Sequence, residues 1–332
     1  MHAISYNQAG TTEVLTYTNW PTPSECGDEQ VIVQLKAAGI NPIDIKIRTT
    51  PERFPVSLPA IPGCDGAGII CALGSKVKNF HLGDEVYFSQ PGFNGRQGTY
   101  AEYVVVEASL LALKPRSLSF MDAAAAPLVF ITAWEALLDR AGMTNGKTVL
   151  IHAGAGGVGH AAIQLAKLFD NRVITTVSND SKAEFAKSIG ADKVIDYKKQ
   201  DVISEVLEWT HGQGVDIAFD TVGTTVLQSC FNCVKPYGDV VTILQPTTET
   251  SWSEARKRNV RFSLELMLSP VMLDLKFAQI HQGYILQQCA TLFDQQKLLV
   301  SIAQSFKLNK AAAAQDYLET RRPIGKVMLT VP

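Results

Sequence analysis

Apolar positions along the chain fall into two textures, and the change comes near Ser119. Before it, Val31, Val33, Leu35 and Ala37 alternate with Ile32, Gln34 and Lys36, a period of two that predicts a strand with at least one buried face. Short strands are predicted over 68–73, 85–89, 100–107 and 110–113, between the turn-forming Pro62-Gly63, Leu82-Gly83-Asp84, Pro91-Gly92 and Asn94-Gly95. This is the layout of a compact β domain. After Ser119, apolar runs at 148–153, 172–177, 193–195, 215–220 and 239–244 predict buried strands, with helices over 158–169, 182–189, 202–210 and 225–234. Such alternation predicts right-handed βαβ units on a parallel sheet. From about Pro270 the pattern mixes, with helices predicted over 277–295 and 310–321 and a closing strand over 326–331.

A chain of 332 residues exceeds the size at which one core stops growing, so two domains are expected. With 46% hydrophobic and 19% charged residues it has the balance of a folded globular enzyme. Thirty Lys and Arg against 32 Asp and Glu leave a net charge of −2 and no basic block, which argues against a nucleic-acid partner. The first residues lack the pattern of an export signal. The most apolar stretch, 123–134, is broken by Pro127 and falls short of the roughly 20 residues that span a bilayer, so no membrane segment is expected. Six scattered cysteines suit reduced thiols and a cytoplasmic location.

Gly154-Ala155-Gly156-Gly157-Val158-Gly159 carries the GxGxxG spacing, a weak signal until its context is added. The apolar run 148–153 enters it and a helical run leaves it, which is the dinucleotide-binding arrangement. Gly154 permits the tight turn, Gly156 lets the main chain approach a diphosphate, and Gly159 allows the helix to pack on the strand. The second strand of the unit should end at the cofactor ribose. There Val177 is followed by Ser178, with Lys182 in the next helix, and a hydroxyl with an ammonium suits a 2′-phosphate, so NADPH is favoured. Asp180 is the contrary signal.

Several segments together resemble the zinc-independent medium-chain dehydrogenases/reductases, the quinone oxidoreductase and zeta-crystallin branch of the alcohol dehydrogenase-like superfamily. They are Ala38-Gly39-Ile40-Asn41-Pro42-Ile43-Asp44, the stretch from Ile61 to Gly68, Gly83-Asp84-Glu85-Val86, the stretch from Gly98 to Tyr103, Thr132-Ala133-Trp134, the glycine turn, and Gly325-Lys326. The resemblance implies an α/β architecture: a Rossmann doubly wound parallel sheet over 125–269, and a GroES-like β-rich domain over 1–124 completed by 270–332, with the active site in the cleft between them. It implies Ser178, Lys182 and Tyr197 at the adenosine 2′-phosphate. It further implies Asn41, Thr132, Arg321 and Lys326 at the nicotinamide ribose, the diphosphate or the cleft, and a homodimer paired through the strand over 260–266.

Zinc is the main rival chemistry. A catalytic zinc of that superfamily would need a cysteine near Asn41 and a histidine near Cys64, and a structural zinc would need four cysteines between about 90 and 115, where there are none. Without a Lewis acid, reduction of an already electrophilic acceptor remains, a quinone or an enone, enal or enoyl group in a small apolar molecule. Lys46 and Thr132 are candidates for polarising the carbonyl or delivering a proton, with Asn41 placing the ribose and Asp44 restraining Lys46. A plainer reading treats Asn41-Pro42 and Asp44 as helix-start chemistry and Lys46 as a surface lysine. Phe54, Phe88, Phe93 and Phe130 are candidates for an apolar pocket wall, and His160 is expected to cap a helix or face solvent. A cofactor-binding protein without turnover and a zinc-type alcohol dehydrogenase are the competing readings.

Overall fold

The computed structural model describes all 332 residues, as two compact units: Met1–Leu128 with Leu268–Pro332, and Val129–Met267. In chain order the strands of the first part are β1 (His2–Ser5), β2 (Thr16–Asn19), β3 (Gln30–Ile40), β4 (Asp65–Leu73), β5 (Glu85–Ser89), β6 (Tyr103–Glu107) and β7 (Leu111–Leu113), with helix α1 (Pro42–Thr49) after β3. Helices α2 (Phe120–Ala125) and α3 (Pro127–Trp134) follow, and the division between the units falls inside α3.

The second unit holds β8 (Thr148–Ile151), α4 (Gly157–Leu168), β9 (Arg172–Val177), α5 (Asp180–Ser188), β10 (Lys193–Asp196), α6 (Val202–Trp209), β11 (Val215–Asp220), α7 (Thr225–Cys233), β12 (Val234–Thr242), α8 (Ser253–Lys257) and β13 (Arg261–Leu264). All its neighbouring strands pair in parallel, in the order β10-β9-β8-β11-β12-β13. Counted from β8, that is the 3-2-1-4-5-6 order of the Rossmann fold, in which the order reverses beside the first strand. The central strands are buried on both faces, which is why they read as continuous apolar runs and not as alternations. β12 starts earlier than its apolar run suggests, because Val234 pairs with Val215 ahead of a register shift. Cys230 and Cys233 lie in the core with Phe231 and Leu227.

The chain then returns to the first unit through α9 (Ser269–Met272), α10 (Lys276–Asp294), β14 (Ile302–Lys307), α11 (Ala311–Arg321) and β15 (Lys326–Thr330). Its main sheet runs β14-β15-β3-β4-β5-β7, with β6 also on β3, and every pairing except β14 with β15 is antiparallel. The β1–β2 hairpin and β14 were not anticipated from the pattern; β14 is only partly covered and lacks a clean alternation. Phe88 and Phe93 are fully buried in this unit, the half-buried Phe54 stacks on Phe93, and Phe130 is fully buried in the other. No helix is long and apolar enough to cross a membrane.

One buried carboxyl locks the start of α1. Asp44 Oδ2 accepts from the backbone N–H of Asn41 and the hydroxyl of Tyr100, both at 2.9 Å, and Oδ1 accepts from the Cys64 thiol at 3.2 Å. It therefore does not restrain Lys46, as the sequence had suggested; the Lys46 side chain is exposed on the same helix. A cavity of about 10 Å³ between Asp44, Tyr6, Ile47 and Ile61 is the size of one water. Burial pushes the Asp44 carboxyl up to about 6, against the lowering effect of its three donors. The folded chain thus holds this proton more tightly than the unfolded one. The resulting stabilisation is complete below the ordinary value of 3.8 and is lost as pH rises through about 6. Asp44→Asn should remove that slope: between about pH 4 and about pH 7 its stability should gain on the wild type by about 3 kcal/mol, read from denaturant midpoints. Parallel profiles for the two proteins would refute it.

Candidate functional site

The glycine turn of the second unit is pinned to the neighbouring strand before it reaches α4. Ala153 takes a positive φ of 53°, its N–H donates to Thr176 Oγ1 at 3.1 Å, and Gly154 N–H donates to the Thr176 carbonyl at 3.1 Å. A Cβ on Gly154 would collide with Thr175 Oγ1, whose hydroxyl is held on the Ile151 carbonyl at 2.6 Å. A Cβ on Gly159 would collide with the Ala153 carbonyl, so the helix can lie against the turn only because that position has no side chain. Gly156 is the N-cap and no acidic residue stands in the first turn of α4. The amides that open a helix have no acceptor within it and carry the positive end of its dipole. The turn from Gly154 to Gly159 therefore presents main-chain amides that could hold an anion such as a dinucleotide diphosphate.

The two histidines around it are inside. His152 is 3% exposed, with Nδ1 3.2 Å from Thr176 Oγ1, and burial pulls it down to about 4, so it is neutral at neutral pH. His160 is fully buried with Nδ1 3.1 Å from the Gly156 carbonyl, in edge contact with Phe130. The expected solvent role for His160 is thus wrong, since the helix start is packed against an aromatic ring.

At the C-terminal ends of β9 and β10 the structure gathers Ser178, Lys182 and Tyr197. Tyr197 N–H donates to the Val177 carbonyl at 3.1 Å, which sets the end of one strand beside the other. Asn179 caps α5 by accepting from Lys182 N–H at 3.0 Å, so Lys182 stands in the first turn, half-buried, while Tyr197 is 49% exposed. Asp180, the contrary acid, is paired with Lys199 at 3.0 Å, and Asp196 meets the same ammonium at 3.2 Å. An open cavity of about 240 Å³ begins at Tyr197 and continues past Gln200, Asp201 and Val202 to Thr225 and Val226 on α7.

The first unit brings together three residues that are far apart in the chain. Strands β15, β3 and β4 are consecutive in the sheet, with Val327 opposite Ile40 and Gly39 opposite Asp65. That register sets Lys326, Asn41 and Asp65 side by side at one end. Lys326 is 3% exposed; its ammonium donates to Asn41 Oδ1 and lies 3.3 Å from Asp65 Oδ2. Asn41 Nδ2 donates to the same carboxyl oxygen at 2.9 Å, and Asp65 Oδ1 accepts from Leu128 N–H at 2.9 Å. Burial raises the Asp65 carboxyl, and the Lys326 ammonium opposes the rise. Asn41 is the N-cap of α1, and its side chain also takes part in this cluster. Thr132 is buried in α3 of the second unit, Lys46 is exposed on α1, and Arg321 is exposed at the end of α11. Asp65, which the sequence reading did not single out as a candidate, is the third member of this cluster.

No group of three or more His, Cys, Asp or Glu side chains is placed to hold a metal ion. Cys64 is buried, donates to Asp44, and is pushed well above the usual thiol range by desolvation.

Residues 27–116 match the family model of the alcohol dehydrogenase GroES-like domain, and residues 189–329 match that of zinc-binding dehydrogenase. The chain is 34% identical to a 2-methylene-furan-3-one reductase of Solanum lycopersicum, over 99% of this chain and 79% of that one. It is 32% identical to a chloroplastic NADPH-dependent alkenal/one oxidoreductase of Arabidopsis thaliana, with the same coverage. Against a quinone oxidoreductase of Pseudomonas aeruginosa it is 31% identical over 98% of each chain. The crystal structure of Escherichia coli quinone oxidoreductase complexed with NADPH superposes with a TM-score of 0.88 at 28% identity, covering 99% of this chain and 100% of that one. With a GroES-like β unit, a parallel sheet in Rossmann order and relatives of this kind over its whole length, the chain belongs to the medium-chain dehydrogenase/reductase family of alcohol dehydrogenase-like oxidoreductases.

Proposed function

We propose that this protein is an NADPH-dependent reductase that delivers hydride to a quinone or an α,β-unsaturated carbonyl compound without a metal ion. The observation that carries the reading is the donor cluster at the head of β15 and β3. Where a metal-dependent dehydrogenase would need a Lewis acid, this chain presents the Lys326 ammonium and the Asn41 amide, and it has no ligand set for zinc. The relatives named for enones, alkenals and quinones point the same way.

NADPH, when bound, supplies the hydride. The amides from Gly154 to Gly159 would hold its diphosphate, and Ser178, Lys182 and Tyr197 its 2′-phosphate, with the ion pair from Lys199 to Asp180 weakening the repulsion of that group. Asn41 and Lys326 donate hydrogen bonds to an oxygen of the nicotinamide ribose or of the acceptor, and Thr132 and Arg321 complete the cofactor contacts. The cofactor would supply hydride for the β-carbon of an enone, and water or the exposed Lys46 would supply the proton for the α-carbon. For a quinone the products are the hydroquinone and NADP⁺.

Two copies pair through β13, the outermost strand of the parallel sheet, whose open ladder is flanked by Leu264 and Leu266 at 55% and 46% exposure. Leu264→Lys should convert a sedimenting dimer to monomer, and an unchanged sedimentation coefficient would contradict this.

NADPH should be oxidised on adding 1,4-naphthoquinone or a 2-alkenal, at the same rate after dialysis against a chelator. Tryptophan quenching by NADPH with every acceptor inert would favour a binding protein, and chelator-sensitive alcohol oxidation would favour zinc. Lys182→Ala should weaken NADPH by about 1 to 3 kcal/mol, roughly 5- to 150-fold, and leave NADH nearly unchanged. Equal losses for both cofactors would rule out the 2′-phosphate role.

A further inference from the structure

We propose that Asp65 is a positioning residue of the reductase centre, fixing the Asn41 amide and the Lys326 ammonium in one arrangement; this rests on the reading that those two groups face the reacting molecules. The carboxylate is fully buried and its acceptors are committed: Oδ2 to Asn41 Nδ2 at 2.9 Å and to Lys326 at 3.3 Å, Oδ1 to the Leu128 N–H at 2.9 Å. The Leu128 bond sets the carboxylate plane from the main chain. An asparagine amide has two nearly isosteric orientations, and the neighbours decide between them. An ionised Asp65 can only accept and a lysine can only donate, so both require Nδ2 toward Asp65 and Oδ1 toward Lys326.

Counting donors shows what this leaves over. Lys326 has three N–H groups and spends two, on Asn41 and Asp65; the Asn41 amide nitrogen has two and spends one. One N–H from each remains for an oxygen of cofactor or substrate, and their directions are set by the bonds to Asp65. The residue also supplies the counter-charge for an ammonium that is only 3% exposed. Replacing the carboxylate by an amide removes both constraints: residue 65 could then donate or accept, and Asn41 could turn over.

The test is a mutant cycle on the full-length protein, read as kcat and KM for NADPH with 1,4-naphthoquinone. Asp65→Asn should lower kcat about 10- to 100-fold while KM for NADPH moves less than about 3-fold. In an Asn41→Ala, Lys326→Met background the same change should cost less than about 3-fold more, because its effect runs through those two side chains. A full second loss in that background, or an unchanged kcat in the single variant, overturns the proposal. An active wild type with additive losses overturns this inference alone, whereas a wild type that binds NADPH and reduces no acceptor overturns the functional reading and this inference with it. If Asp65→Asn does not fold, Asp65→Glu keeps the charge and displaces the Asn41 amide. It should still lose kcat, and full activity in it would overturn the proposal.

Discussion

A lysine ammonium and an aspartate carboxylate share a dry position at the end of the first unit's sheet, at 3% and 0% exposure. Neither would tolerate that environment alone, since removing one partner of a buried pair costs about 3 to 5 kcal/mol. The pair is held by strand register: β15, β3 and β4 must be neighbours, in this alignment, for Lys326 to reach Asp65 with Asn41 between them. The closing strand of the chain, some 260 residues after Asp65, is thereby bound to its early part, and the polar cluster carries the function proposed for it.

The second unit solves a different problem by different means. Its glycine turn is made of backbone, and side chains enter mainly by their absence, at Gly154 and Gly159, where a methyl group would strike Thr175 or the Ala153 carbonyl. Beside it one ring nitrogen of each histidine is held locally, His152 Nδ1 by Thr176 and His160 Nδ1 by the Gly156 carbonyl. Main chain in one unit and a polar side-chain network in the other are two different ways to fix hydrogen-bond donors in place.

Much of this was legible in the chain itself. The period-two run at 31–37 and the apolar runs at 148–151, 172–177 and 215–220 mark strands because burial on one or both faces leaves that imprint locally. The glycine turn was readable for the same reason, as its chemistry lies within six consecutive residues. β14 was not, being half-covered and polar, and neither was the fate of Asp44, since its acceptors face Tyr100 and Cys64 across the fold and not Lys46 two positions along.

The sequence by itself determined the alternation of strands and helices, the glycine turn and the side chains available for chemistry, all properties set by neighbours in the chain. Tertiary structure alone decided that Asp65 meets Lys326 and Asn41, that Asp180 pairs with Lys199, and that Lys46 faces solvent. Those outcomes depend on which strands pair and in what register, and pairing is governed by burial summed over whole sheets, which no local run of residues encodes.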